Sequence, residues 1–347
     1  MPFLSCILGL VYFYTFSFLF KNIIIIIIII IIIILQIGPW KMATLNVPIF
    51  RFKDNIAIHS LILLDPSVKS DTLLGGSENG RIVEWDTECY RKKGTFNIGK
   101  DTCVGLKTIG DKLLTQDSSG IVKLWKALNM NWEQVGKIEN VYTGFSKIDV
   151  LTNAEGFVAC PTSGAKVSLF STEDCTKVTS LQRDGNPQSI GRIMALKLVN
   201  ISENHFIIAA YENGELDLFD LKTNKVISCI KLQKNILSLD FHSESKIGVC
   251  GNVSTKVQFF KLNGNMELEK THHLNVPNKG IGVVKMIPHK EIVFLGGWDG
   301  VLRIVSLRSF KIIGLMNEDC SEIRDIDYSS HLIAASDTSG MVIIWSL

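Results

Sequence analysis

One pattern of apolar and polar positions governs the chain from Met42 onward. An apolar strand runs into a short turn holding Gly or Asn, and an alternating strand then closes on a large apolar side chain. The unit returns seven times: LLGGSENGRIVEWD (73–86), LLTQDSSGIVKLWK (113–126), FVACPTSGAKVSLFS (157–171), FIIAAYENGELDLFD (206–220), KIGVCGNVSTKVQFFK (246–261), IVFLGGWDGVLRIVS (292–306) and LIAASDTSGMVIIWSL (332–347). The closing positions Trp85, Trp125, Phe170, Phe219, Phe260, Val305 and Trp345 are spaced by 40 to 49 residues. Ahead of them, pairs such as Val122/Leu124, Val167/Leu169, Leu216/Leu218 and Val342/Ile344 repeat every second residue, which predicts one buried face of a β-strand. Gly80, Gly120, Gly164, Gly214, Gly300 and Gly340 supply the positive φ of tight hairpin turns. No helical period persists for more than a turn or two, so a helical solenoid is excluded.

A repeat of about 44 residues is the length of one four-stranded propeller blade. Apolar segments upstream of the copies, such as 56–64, 194–199, 236–241 and 323–328, predict the inner strand of a blade, and segments such as 225–232 and 310–316 predict the outer one. The expected fold is all-β, a seven-bladed β-propeller over 42–347. Its last copy lacks a fourth strand, while VPIFRFK (47–53) lies unassigned ahead of the first. That segment is predicted to complete the seventh blade, so that the N-terminal strand closes the ring and removes an open sheet edge.

Residues 1–41 break the pattern with an apolar segment containing twelve consecutive isoleucines, Ile23 to Ile34. Two readings stand. In one, the 18 uncharged residues Phe3–Phe20 are an uncleaved membrane anchor. In the other, the segment is not native to the working protein: a simple DNA triplet repeat translates into such a tract, and Met42 is the natural start. A cleavable signal peptide fits neither the uncharged n-region nor the absence of a small-residue cleavage site. Outside residues 1–42 the chain holds 34 basic and 34 acidic side chains, with no basic excess to offset phosphate, so no direct nucleic-acid partner is expected. A membrane partner is expected only if residues 3–35 are retained. The eight cysteines are dispersed without a CxxC pair, the pattern of reduced thiols rather than a disulfide framework or a zinc site.

Chemistry is sparse. His272-His273 is the one histidine pair, and neighbours along a strand point to opposite faces, so the pair is expected in the polar connection around 267–279 rather than on a metal. GGSENG and GGWDG lack the helix and lysine of a phosphate loop and read as hairpin turns. No catalytic, cofactor-binding or metal-ligating residue is expected, and the chain is read as non-enzymatic.

The copies GGSENGRIVEWD, QDSSGIVKLWK, GGWDGVLRIVS and SDTSGMVIIWSL resemble WD repeats. Literal Trp-Asp closes only one of them (Trp85-Asp86), the Gly-His dipeptide of many WD repeats is missing, and the usual turn aspartate occurs only at Asp299. Blades of this sequence therefore rely on apolar packing rather than on the Asp–His–Ser–Trp hydrogen-bond network. The stretch NKGIGVVKMIPHKEIVFLGGWDGVLRIVSLRSFKIIGLM (278–316) and the ending in Ile-Trp-Ser-Leu are similar to the guanine nucleotide-binding protein β-subunit-like protein 1 / ASTRA-associated protein 1 family. That resemblance implies a monomeric propeller in cytoplasm and nucleus, an adaptor for assembly and stability of phosphatidylinositol-kinase-related protein kinases. Its implied partners are those kinases and their co-chaperone complex and, in fungi, a chromatin-associated assembly. Alternatives are a membrane-anchored propeller scaffold and a G-protein-β-like signalling adaptor, the latter without the long N-terminal coiled coil that holds a γ subunit.

In WD-type propellers the turn between the second and third strands opens beside the central channel, where partners bind. The residues just before that turn position are Glu78, Ser118, Ser163, Glu212, Val253, Trp298 and Thr338. An indole at such an apex has the profile of an interface anchor, the alternative being that Trp298 folds down over its own blade. Glu78, Glu212 and Asp299 are expected to add a negative patch beside it, against the plainer reading of solvated turn charges.

Overall fold

The computed structural model describes residues 47–66, 68–128, 131–139, 141, 146–151, 156–184 and 187–347. The apolar segment 1–41, and with it both readings of Phe3–Phe20, lies outside the described residues. The described strands, numbered β1 to β28 along the chain, form seven four-stranded antiparallel sheets. One α-helical turn at Pro187–Ile190 and one 3-10 turn at Pro288–Lys290 are the helical pieces among the described residues.

Each sheet is one copy of the repeat with its predicted inner and outer strands. The inner strands are β2 (Ile58–Leu63), β6 (Cys103–Ile109), β10 (Asp149–Val150), β14 (Ile193–Ile201), β18 (Ile236–His242), β22 (Ile281–Ile287) and β26 (Ile323–Tyr328). They pack against one another in ring order, and β26 returns to β2, so the seven sheets stand radially around a channel. The predicted closure is present. Strand β1 (Phe50–Lys53) pairs antiparallel with β28 (Met341–Ser346), Phe50 opposite Ile344 and Phe52 opposite Val342, as the outer strand of the seventh blade. Phe52 stacks on Trp85 of the first blade with ring centroids 5.3 Å apart, and Asp54 just beyond β1 meets Arg81 at 2.6 Å. The first and last described strands are thereby joined in the seam.

The core lies between blades rather than within them, because each sheet buries both faces against its neighbours. All seven closing residues are buried. Phe206, Phe241, Cys250 and Phe260 share a cluster joining the fourth and fifth blades, and Phe259, Met286, Val293 and Val305 join the fifth and sixth. Burying one such aromatic or branched side chain is worth roughly 1.5–3 kcal/mol. The expected reliance on apolar packing fits this layout. From the Ser–Trp part of the WD network, Trp125 Nε1 donates to Thr115 Oγ1 at 3.0 Å.

Two local readings are corrected. His272 and His273 lie within β21 (Leu268–Asn275), the outer strand of the fifth blade, and not in a polar connection. Alternation of Leu274 opposite Val257 and His273 opposite Gln258 extends the strand that far, and His272 stacks on Phe310 at 3.9 Å. In the second and seventh blades a carboxylate also sits two residues ahead of the WD turn position, at the end of the second strand, whereas Asp299 of the sixth keeps that position. Asp117 accepts hydrogen bonds from the N–H groups of Ser119 and Ile121, and Asp337 from those of Ser339 and Met341, at 2.8–3.1 Å. A carboxylate there satisfies the turn amides from one side, so no acid is needed at the apex.

Candidate protein-docking face

The inner strands bring a charged ring to one level of the channel. Lys107, Asp149, Lys197, Asp240, Lys285 and Asp327 occupy equivalent register positions, opposite Leu114, Ala159, Ile208, Val249, Phe294 and Ala334 of the adjacent strands. The first blade places Ile62 there, opposite Leu74. Lys107 meets Asp149 at 2.8 Å, Lys197 meets Asp240 at 3.0 Å, and Lys285 meets Asp327 at 2.7 Å. Each aspartate also accepts a backbone N–H of the following blade: Asp149 from Leu198 at 2.9 Å, Asp240 from Met286 and Asp327 from Leu63, both at 2.8 Å. A second level pairs Lys147 of the third blade with Asp325 of the seventh at 2.9 Å, across the channel.

The electrostatics follow from this pairing. Burial alone pushes the Asp149 carboxyl up, but the ammonium groups of Lys107 and Lys197 and the Leu198 N–H outweigh it and hold it at about 2. Burial pushes Lys197 and Lys285 down, and the flanking carboxylates more than reverse it. A cavity of about 370 Å3 lies among these side chains. Its lysines and aspartates neutralise one another, so the channel offers no net charge to select a ligand. Its work is to fasten blade to blade.

The rim of the channel is built differently. Near its start, the register of the described inner strands β2, β6, β14, β18, β22 and β26 shifts by a bulge residue, namely His59, Val104, Met194, Leu237, Gly282 and Arg324. A bulge re-aims its side chain away from the ladder, here beside the turns between second and third strands. In the sixth blade the bulge residue has no side chain, and the indole of Trp298 takes its place. A Cβ built on Gly280 falls 2.1 Å from Trp298 Cδ2, and one on Gly282 falls 3.2 Å from its Nε1, so Gly-Ile-Gly forms a cradle that only glycine permits. Trp298 N–H donates to Gly280 O at 2.9 Å. The ring therefore lies down on its own blade, yet 43% of the residue stays exposed.

The turn acids are distributed over three blades. Trp298 and Asp299 belong to the sixth blade, Glu212 to the fourth and Glu78 to the first, with a blade between each of these and the sixth. Burial alone pushes the Asp299 carboxyl up, but hydrogen bonds from Arg303 and, at 2.6 Å, from Asn278 hold it at about 2. Glu78 lies where its charge is felt by His59, whose imidazole burial and Arg324 push down. An Asp four residues ahead of an Arg across a tight turn was the available signal that Asp299 is engaged.

No family model matches the chain. Over 308 residues it is 26% identical to guanine nucleotide-binding protein subunit beta-like protein 1 of Mus musculus, an alignment covering 84% of this chain and 93% of that protein. The chain is a seven-bladed β-propeller. It is similar to that mouse protein along most of the length of both. Dynein axonemal assembly factor 10 of Dictyostelium discoideum is 27% identical over 144 residues, 39% of each chain. The propeller and its likeness to a Gβ-like protein support a scaffold or adaptor role. Among the described residues no group of three or more His, Cys, Asp or Glu side chains has the geometry to hold a metal ion, and no helix is long and apolar enough to cross a membrane.

Proposed function

We propose that this propeller is a non-enzymatic protein-interaction scaffold of the cytoplasm and nucleus, an adaptor in the assembly and stability of phosphatidylinositol-kinase-related protein kinases with their co-chaperone complex. The observation that carries the scaffold reading is Trp298, an indole presented on a rigid rim with a glycine cradle beneath it and 43% of the residue exposed. Exposed tryptophan is among the side chains most enriched as interface anchors. The kinase reading rests on resemblance to the β-subunit-like protein 1 family along the sixth and seventh blades. Depletion of the chain from its own cells is expected to lower the steady-state level of these kinases, and the wild-type chain but not Trp298→Ala is expected to restore it. Unchanged kinase levels on depletion would remove the kinase role. Full restoration by Trp298→Ala would remove the anchor.

A further inference from the structure

The arc of rim that leads to Trp298 carries positive charge with no carboxylate partner among the described residues. Trp298 N–H bonds Gly280 O, Gly280 N–H bonds Ser254 O at 3.4 Å, and Ser254 Oγ bonds Gln233 Oε1 at 3.1 Å. These links run from the sixth blade across the fifth to the loop that leaves the fourth. Lys279 precedes Gly280, Lys256 lies two residues after Ser254, and Lys234 follows Gln233. All three are exposed, and among the described residues none has a carboxylate within ion-pair distance. The surrounding acids are engaged elsewhere: Asp299 with Arg303 and Asn278, Glu322 with Arg324 at 3.0 Å, and Glu215 with Lys231 at 3.1 Å and with Arg183. Glu212 alone borders the patch without an ion pair, its Oε2 3.4 Å from the Arg192 N–H. Leu237, half-buried, and Met194 continue the apolar side of the rim.

We infer that this arc of the rim docks an acidic segment of a partner protein, with an apolar side chain of that segment seated on the Trp298 indole. The inference rests on the scaffold reading and specifies its partner's chemistry. Other exposed lysines, such as Lys222, Lys225 and Lys270, also lack a carboxylate partner among the described residues, but only Lys234, Lys256 and Lys279 lie within two residues of the hydrogen-bonded links that lead to Trp298. The three lysines are spread along the arc that ends at the exposed Trp298, so complementarity calls for a segment with carboxylates along its length and an apolar residue at one end. Such rim charges set encounter rate and salt dependence, while the aromatic sets residence.

Fluorescence anisotropy tests this with a fluorescein-labelled peptide of glutamates flanking a central Leu-Phe pair, and with its twin in which glutamine replaces every glutamate. The full chain is expected to bind the glutamate peptide about tenfold more tightly than the glutamine twin at low salt, with the difference shrinking as salt rises. Lys234→Glu/Lys256→Glu/Lys279→Glu is expected to abolish that difference without lowering the melting temperature. Trp298→Ala is expected to weaken the glutamate peptide about tenfold at every salt concentration. Equal binding of the two peptides by the wild-type chain overturns the inference without reference to any variant. Tighter binding of a single-stranded oligodeoxynucleotide than of the glutamate peptide also overturns it, because the arc would then be a phosphate-backbone site. Kinase levels restored in cells by the triple-lysine variant would sink this inference while leaving the scaffold reading in place.

Discussion

The channel and the rim use the same side chains to opposite ends. In the channel Lys107, Lys197, Lys285 and Lys147 each face an aspartate that also accepts a backbone N–H or lies beside one that does. On the rim Lys234, Lys256 and Lys279 face solvent. A lysine whose charge is matched inside the fold contributes to holding blades together; a lysine left unmatched on a rigid edge is available to something outside it. The difference teaches that charge here is sorted by radius, structural at the centre and receptive at the edge.

That contrast breaks most visibly at its centre. Asp149→Ala leaves Lys107 and Lys197 without their shared carboxylate and the Leu198 N–H without its acceptor, and is expected to cost about 3–5 kcal/mol, read as a lowered midpoint in denaturant unfolding. A loss below about 1 kcal/mol would show that the ring does not fasten the blades. The same carboxylate gives a pH signature. Its pKa in the fold is about 2, below the ordinary 3.8, so its stabilisation is complete above about pH 4 and is lost as pH falls toward 2, about 2 kcal/mol in all. The acid limb of a melting-temperature profile is expected to steepen in that window and to flatten in Asp149→Asn. Gly280→Ala comes next. Its φ of +84° and the indole above it leave no room for a Cβ, and about 1–2 kcal/mol of destabilisation is expected together with a shift in tryptophan emission. An unchanged emission spectrum would show that the cradle does not hold the ring. Smallest is Trp298→Ala, expected to change stability by less than about 1 kcal/mol while removing partner binding. A large fall in melting temperature with binding intact would assign Trp298 to the core instead.

The architecture was legible because it rests on period and length. Strand alternation, turn glycines and a 40–49-residue spacing sufficed for seven blades, and the leftover VPIFRFK for the closing strand. The channel ring was not read, although its letters are plain: Lys or Asp follows four residues after Cys103, Ile193, Ile236, Ile281 and Ile323. Each inner strand taken alone shows an ordinary polar position, and only the superposition of strands from different repeats reveals the alternation. The rim was half legible. Trp298 was identified by its place in the turn, but the acids singled out with it were grouped by repeat position, which says nothing of distance around a ring. Of the three lysines, Lys234 and Lys279 lie between repeats, where no pattern aligns them, and Lys256 opens the third strand of the fifth copy at a position where other copies carry Arg81, Ile121 or Glu215.

Ile62 has a consequence for how many blades this sequence accepts. Plus and minus can be dealt alternately around any even cycle, but an odd cycle always leaves one member with like neighbours on one side. A lysine at Ile62 would adjoin Lys107, and an aspartate there would adjoin Asp327; the apolar side chain is the one assignment that offends neither. Loss of any one of the third to sixth blades by recombination would set two identical signs side by side, so the alternation of the ring is recorded in its lining independently of the seam that ties it shut.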